Sequence, residues 1–212
     1  MLAYFDIETT GLSDAADFVC AVVMVDGAIT TFDTVEATVD WIIASTETIV
    51  TWNGLSFDFK FLANKTSDGV RVCQLAFVAI NRHVDLMFDF LVAHGYPTSM
   101  QSVGEPLGHS KSWSGAEAAE STDKEAVLAY CVEDVKVLAA IEAAGTAAGW
   151  LIRLTQMGKR TVWVLPVTNF RSVDECLVGL RTVSPDQSWM TTPINIAGTA
   201  EWATAALRQA LR

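Results

Sequence analysis

Five side chains in this 212-residue sequence have types and spacings that could do chemistry: Asp6, Glu8, Asp58, Tyr130 and Asp134. Asp6 and Glu8 stand two apart in an apolar run that breaks at Gly11. Residues two apart on a strand point to the same face, so the two carboxylates project side by side while Phe5 and Ile7 face the other way. Two like charges so close are costly unless something positive lies between them, and a divalent cation that prefers carboxylate oxygens is the simplest neutraliser. Taken alone, the pair also reads as the solvated acidic face of an edge strand. Asp58 falls in the first turn of a helix expected after a buried strand. Tyr130 and Asp134, four apart in a long helix, share one helix face. Four carboxylates on one strand and two helices suit a site in which two cations, about 3.5–4 Å apart, flank a phosphodiester.

Three stretches carry these residues in order: FDIETTGL at 5–12, NGLSFDFKFL at 53–62 and YCVED at 130–134. Together they resemble the three exonuclease motifs of the DEDD superfamily, 3′→5′ exonucleases on a ribonuclease H-like fold that include polymerase proofreading domains. The resemblance covers roughly residues 1–145 and implies an α/β fold, a mixed β-sheet flanked by helices. It implies that Asp6, Glu8, Asp58 and Asp134 hold two Mg²⁺ or Mn²⁺ ions and that Tyr130 positions the attacking water. The histidine branch of the family places its histidine five residues before the last aspartate; here that residue is Ala129, which puts the chain with the tyrosine branch. Thr10, Gly11 and Leu12 match the segment that lies against the terminal nucleotide, and Asn53 and Phe57 match the second motif. Lys111 and Trp113 add a cation and an aromatic ring, a pairing that suits a phosphate and a base of a single strand. The implied function is removal of nucleoside 5′-monophosphates from a single-stranded or frayed 3′ end of DNA. An exoribonuclease of the same chemistry and a non-catalytic accessory domain are the other readings.

Composition narrows the class. Apolar residues make up 51%, enough for a buried core, and no apolar run reaches the 18 residues of a membrane span. The N-terminus shows no secretion pattern, so a cytoplasmic protein is expected. Cys20, Cys73, Cys131 and Cys176 form no close pair in sequence and read as separate buried thiols, with no zinc site among them. The net charge of −11 disfavours binding to duplex phosphates. It is uneven: residues 151–212 hold seven basic and four acidic side chains, the rest seven and 21.

Apolar periodicity and turn signals give an element order. Strands are expected near 4–9, 18–25 and 28–32, the last two joined at Asp26-Gly27. A helix over 35–45, a buried strand over 48–52, and helices over 57–64 and 73–80 follow. A short strand ends at Asp85, which is read as the cap of a helix over 87–94. Residues 98–121 read as one short helix and a mobile loop. Thr122 and Glu125 form a capping box for a helix stopping at Gly145. The division is a domain over 1–149 and a small α/β extension over 150–212, with a strand at 161–165, a helix at 173–180, a strand at 189–192 and a helix from 200. The extension is a candidate contact for a replication or repair protein, with Lys159, Arg160 and Arg171 expected near phosphates. Its tryptophans read as core, and His83 and His109 as surface loop residues.

Overall fold

Burial alternates strictly along the first strand, β1 (Leu2–Thr9), with Ala3, Phe5, Ile7 and Thr9 sealed and Leu2, Tyr4, Asp6 and Glu8 half-buried. The computed structural model describes residues 1–13, 15–110, 113–155, 158–165 and 169–210. After β1 come β2 (Phe18–Val25), β3 (Ala28–Phe32), α1 (Val35–Ala44), β4 (Thr48–Thr51), α2 (Asp58–Lys65), α3 (Gly69–Asn81), β5 (His83–Asp85) and α4 (Leu86–His94). Then follow α5 (Met100–Gly104), α6 (Gly115–Glu120), α7 (Lys124–Ala148), β6 (Trp150–Leu154), β7 (Arg160–Val164), α8 (Val173–Thr182) and α9 (Glu201–Ala210). Among the described residues no helix is long and apolar enough to cross a membrane.

Strands one to five form one sheet in the order β3-β2-β1-β4-β5. The first three run antiparallel, with Asp26 and Gly27 both at positive φ in the tight turn, whereas β4 and β5 run parallel to β1. This is the mixed, helix-flanked α/β sheet expected from the sequence. One face of β1 and β2, through Phe5, Ile7, Ala21 and Val23, packs on α1, α2 and α3 in the main core. Across the other face runs α7, whose Val127, Cys131 and Val135 meet Cys20 and Val22. Asp6 and Glu8 are on that second face.

Residues after 149 share the core with what precedes them. Val173, Cys176, Ile196, Ala200 and Ala203 join the main core. Leu151, Trp163, Leu165 and Phe170 pack with Phe90, Leu138 and Ile141 beyond β4. Several expected boundaries shift. The α7 cap is Asp123, not Thr122, its carboxylate accepting from Glu125 and Ala126. The helix also runs through Gly145 to a left-handed Gly149. Gly145 is needed inside the helix because a Cβ there would stand 2.6 Å from the Phe170 ring. The Trp189 region is no strand, and the Trp189 side chain is exposed. Residues 98–121 contain two helices and a 3-10 turn rather than one helix and a loop.

Candidate active site

The parallel pairing of β1 with β4 ends at Tyr4 opposite Val50, so β1 extends past its neighbour. The N–H of Ile7, left without a strand partner on that side, donates to Asp58 Oδ1 at 3.1 Å. Asp58, first residue of α2 and 2% exposed, is thereby fixed at the edge of β1 beside Asp6. Burial, then the charge of Asp6, pushes its carboxyl well above the usual carboxylate range, a strain that a bound cation would relieve.

Tyr130 and Asp134 lie one turn apart on α7, both nearly sealed from solvent. Trp113 stacks on Tyr130 with centroids 6.4 Å apart and the rings 26° from parallel. Between the two motif residues α7 turns Cys131 onto β1. Its thiol donates to Asp6 Oδ2 at 3.5 Å and lies 3.6 Å from the Asp6 carbonyl. Ligand atoms of Asp6, Glu8 and Cys131 all fall within 4.8 Å of one another. Paired carboxylates at that spacing are a donor set that fits a hard divalent cation. Asp58 and Asp134 stand outside that tight group, Asp58 as the electrostatic neighbour of Asp6 and Asp134 one helical turn beyond Tyr130.

Cys20 faces Glu8 across the β1–β2 pairing and packs with Cys131 in the core between β2 and α7. All four cysteines are free thiols, as expected, but Cys73 is only half-buried, and Cys20 and Cys131 meet beside the acidic pair. Nothing in their sequence separation signals this, because the contact depends on α7 crossing β2. Burial, with Cys20 and Asp6 beside it, pushes the Cys131 thiol well above its ordinary value.

A cavity of about 450 Å³ opens at the end of β1. Glu8, Thr10, Gly11, Leu12 and Phe57 line one side and α6 the other. Leu12 is 87% exposed, an apolar side chain held in solvent where a ligand can cover it. Asn53 does not line this cavity. It stands at φ +69°, and its N–H donates to Asp85 Oδ1 at 2.9 Å. Lys111 lies outside the described residues.

The loop from Asn53 to Phe57 delivers Asp58, and sequence reasoning missed what holds it. Asp85 caps α4 through Phe88 N–H, as expected, but also accepts from Asn53 and from Leu55 N–H. Burial raises its carboxyl to about 6 despite these bonds. Thr51 Oγ1 takes the Gly54 N–H and pairs with His83 Nε2 at 2.7 Å. His83 is thus no surface residue: it is fully buried, and burial lowers its pKa to about 3. A Cβ at Gly54 would stand 2.3 Å from Thr51 Oγ1, so only glycine fits the loop. From the far side the Trp202 indole donates to the Leu55 carbonyl at 2.8 Å. Arg171 is not placed for phosphate either. Its guanidinium is bound to the fully buried carboxylate of Asp89, a charge that needs a partner.

A family model described as RNase_H superfamily, RNase_H_2, matches residues 3–144, from β1 into α7. No match was found among curated proteins. The matched span holds the whole five-stranded sheet, the paired carboxylates of β1 and the helix that covers them. The chain belongs to the RNase H superfamily, a setting of nucleases that act on nucleic acids with divalent metals.

Proposed function

We propose that the protein is a 3′→5′ exonuclease of the DEDD superfamily's tyrosine branch, releasing nucleoside 5′-monophosphates from a single-stranded or frayed 3′ end of DNA. The observation that carries this reading is the junction of Asp6 and Glu8 with the Thr10–Leu12 and Phe57 cavity, because it puts carboxylates suited to a cation beside a cavity suited to a terminal nucleotide. Asp6, Glu8, Asp58 and Asp134 would hold two Mg²⁺ or Mn²⁺ ions. Such ions supply an activated water and neutralise charge developing on the phosphodiester. Thr10 and Gly11 offer polar groups to the last sugar and phosphate, and Leu12 an apolar contact to its base. The acidic character of residues 1–150 keeps duplex away and leaves a lone strand as the better ligand. Trp150, Val162, Val164 and Trp189, all exposed on the extension, are where a replication or repair protein would dock.

Matched end-labelled DNA and RNA strands, incubated with Mg²⁺, Mn²⁺ or chelator, test the reading. Single-nucleotide shortening of DNA from the 3′ end, abolished by chelator, is expected. Equal or faster loss of RNA would reassign the substrate, and internal cleavage would overturn the exonuclease assignment.

Tyr130→Phe keeps the ring and its stacking on Trp113 while removing the hydroxyl. If that hydroxyl orients water, turnover falls roughly 10–1000-fold with metal affinity unchanged, the range for one positioned polar group. Single-turnover rates at saturating metal measure it; a wild-type rate makes Tyr130 a packing residue.

A further inference from the structure

Where α5 packs on β6, a cavity of about 670 Å³ opens. Thr98, Ser99, Ser102, Arg153 and Thr155 supply its polar lining. Among the described residues no carboxylate lines it, although the chain holds 25 acidic side chains. Arg71 is bound to Asp40 and Arg171 to Asp89, but the guanidinium of Arg153 has only a neutral hydrogen-bond partner among the described residues. We infer that this cavity is a phosphate-binding site, in which Arg153 supplies the charge and the hydroxyls of Ser99 and Thr155 supply further donors. The site stands independent of the exonuclease reading, because Arg153 and Thr155 lie beyond the matched residues 3–144.

Hydrogen-bond directions decide which donors face a ligand. Arg153 Nε–H donates to Thr98 Oγ1 at 2.7 Å. Thr98 Oγ1 lies 2.8 Å from Ser102 Oγ, and Ser102 Oγ donates to the Ser99 carbonyl at 2.8 Å. The Thr98 proton therefore goes to Ser102, which leaves the Thr98 oxygen to accept from Arg153. This relay ends on a backbone carbonyl and brings no negative charge to the guanidinium. The Phe90 and Tyr96 rings, with centroids 5.7 and 5.2 Å from Arg153 Cζ, hold the flat group in place without engaging its terminal N–H donors. Ser99 Oγ accepts from Ser102 N–H at 3.2 Å, and Thr155 Oγ1 accepts from Lys159 N–H at 3.1 Å. Each of these hydroxyls keeps its own proton to donate.

A cavity lined by a guanidinium fork and two hydroxyl donors fits a ligand with several acceptor oxygens. A carboxylate offers two oxygens in one plane, whereas a phosphate can take the fork on one edge and hydroxyls on its other oxygens. The surroundings add positive charge. The turn after Thr155 returns as β7, whose register sets Arg160 opposite Leu154 of the cavity wall, with Lys159 next to it. The charge of Arg153 is also felt at His94, whose pKa is pushed below its ordinary value by burial and then by that charge. Free phosphate, a nucleoside monophosphate and the diester of a nucleic-acid strand share the chemistry that this site recognises.

Three probes titrated into the full chain test this: inorganic phosphate, thymidine 5′-monophosphate, and a DNA single strand with no terminal phosphate. Chelator is present throughout, so that no divalent ion links phosphate to Asp6 and Glu8. Side-chain and backbone NMR signals follow the site. A saturable shift of the Arg153 Nε–H signal is expected with at least one probe, together with shifts of the amides of residues 98–102 and 153–155. Arg153→Gln weakens that binding by about tenfold or more, the loss of a charged hydrogen-bonding group, and Arg208→Gln on α9 leaves it unchanged. Binding of the strand assigns the site to phosphodiesters, and binding of phosphate and the monophosphate alone assigns it to free ligands. No saturable shift with any probe, an equal response to chloride, or undiminished affinity in Arg153→Gln overturns the proposal. Should Arg153→Gln fail to fold, the wild-type shifts decide, and shifts centred away from these residues overturn it.

Discussion

Asp6→Ala is expected to abolish the proposed metal-dependent hydrolysis, by roughly a thousandfold or more, in a protein that still folds. A metal that stabilises transition-state charge contributes several kcal/mol, and about 4 kcal/mol corresponds to a thousandfold in rate. Asp6 shares a tight group with Glu8 and the Cys131 thiol and is the charged neighbour of Asp58, so its loss removes the proposed ligand common to both pairs. The metal-free variant is expected to melt at the same temperature as wild type or higher, because one member of a repelling group is gone: Asp6 helps to raise the Asp58 carboxyl. Metal reverses the order. An ion that binds only the folded chain at 100 times its Kd adds about 2.7 kcal/mol, roughly 5–10 °C for a chain of this size. Wild type should gain that shift in Mn²⁺, and Asp6→Ala with Asp134→Ala should lose most of it. Paired calorimetry and single-turnover assays measure both, and activity within tenfold of wild type would exclude Asp6 as a ligand.

The largest loss of stability is expected at Asp85, which touches no substrate. Asp85→Ala strips the acceptor from three backbone N–H groups, those of Asn53, Leu55 and Phe88, in a place sealed from bulk solvent. Each such orphan costs about 1–3 kcal/mol, partly offset because a buried charge disappears. A net loss of about 3–5 kcal/mol, roughly 10 °C in melting temperature, is expected. Asp85→Asn resolves the charge separately. Because burial lifts the folded-state carboxyl to about 6, above its unfolded value near 4, the folded chain binds the extra proton between those pH values. The contribution is full below pH 4 and fades as pH rises through 6. The stability gap between wild type and Asp85→Asn should therefore narrow by about 2 kcal/mol from pH 4 to pH 7. Urea melts at the two pH values give the sign, and a gap that widens with pH contradicts it.

Period-two alternation and the Asp26-Gly27 turn made β1 to β3 legible, since both are local signals. The two-residue spacing of Asp6 and Glu8 likewise foretold that they share a face, as the burial pattern has it. Long-range partners were not legible. Asp85 read correctly as a helix cap, yet its bonds to Asn53 and Leu55 span 30 residues or more and have no periodic trace. His83 looked like a loop residue because only the tertiary fold buries it and gives it Thr51 as a partner, beside the local Ala79 carbonyl. Strand β6 was missed even though Gly149 ends α7 just before it, because its pairing with β7 leaves no local trace in Trp150 to Leu154. Arg171 was read by charge alone, and its partner Asp89 is 82 positions away. For Asp85, His83 and Arg171 the local rule was sound and a contact distant in sequence decided the outcome.

The indole of Trp202 closes a loop of 147 positions onto the carbonyl of Leu55. Closing so long a segment costs chain entropy, and a contact of that span forms late in folding. All the proposed metal ligands precede residue 150, yet the segment that delivers Asp58 gains its last tether only from α9. A ribosome therefore has the entire acidic constellation outside its tunnel before the geometry around Leu55 can settle. The Leu55 tether forms only once α9 has been made, a delay between translating the proposed metal ligands and fixing the loop that carries Asp58.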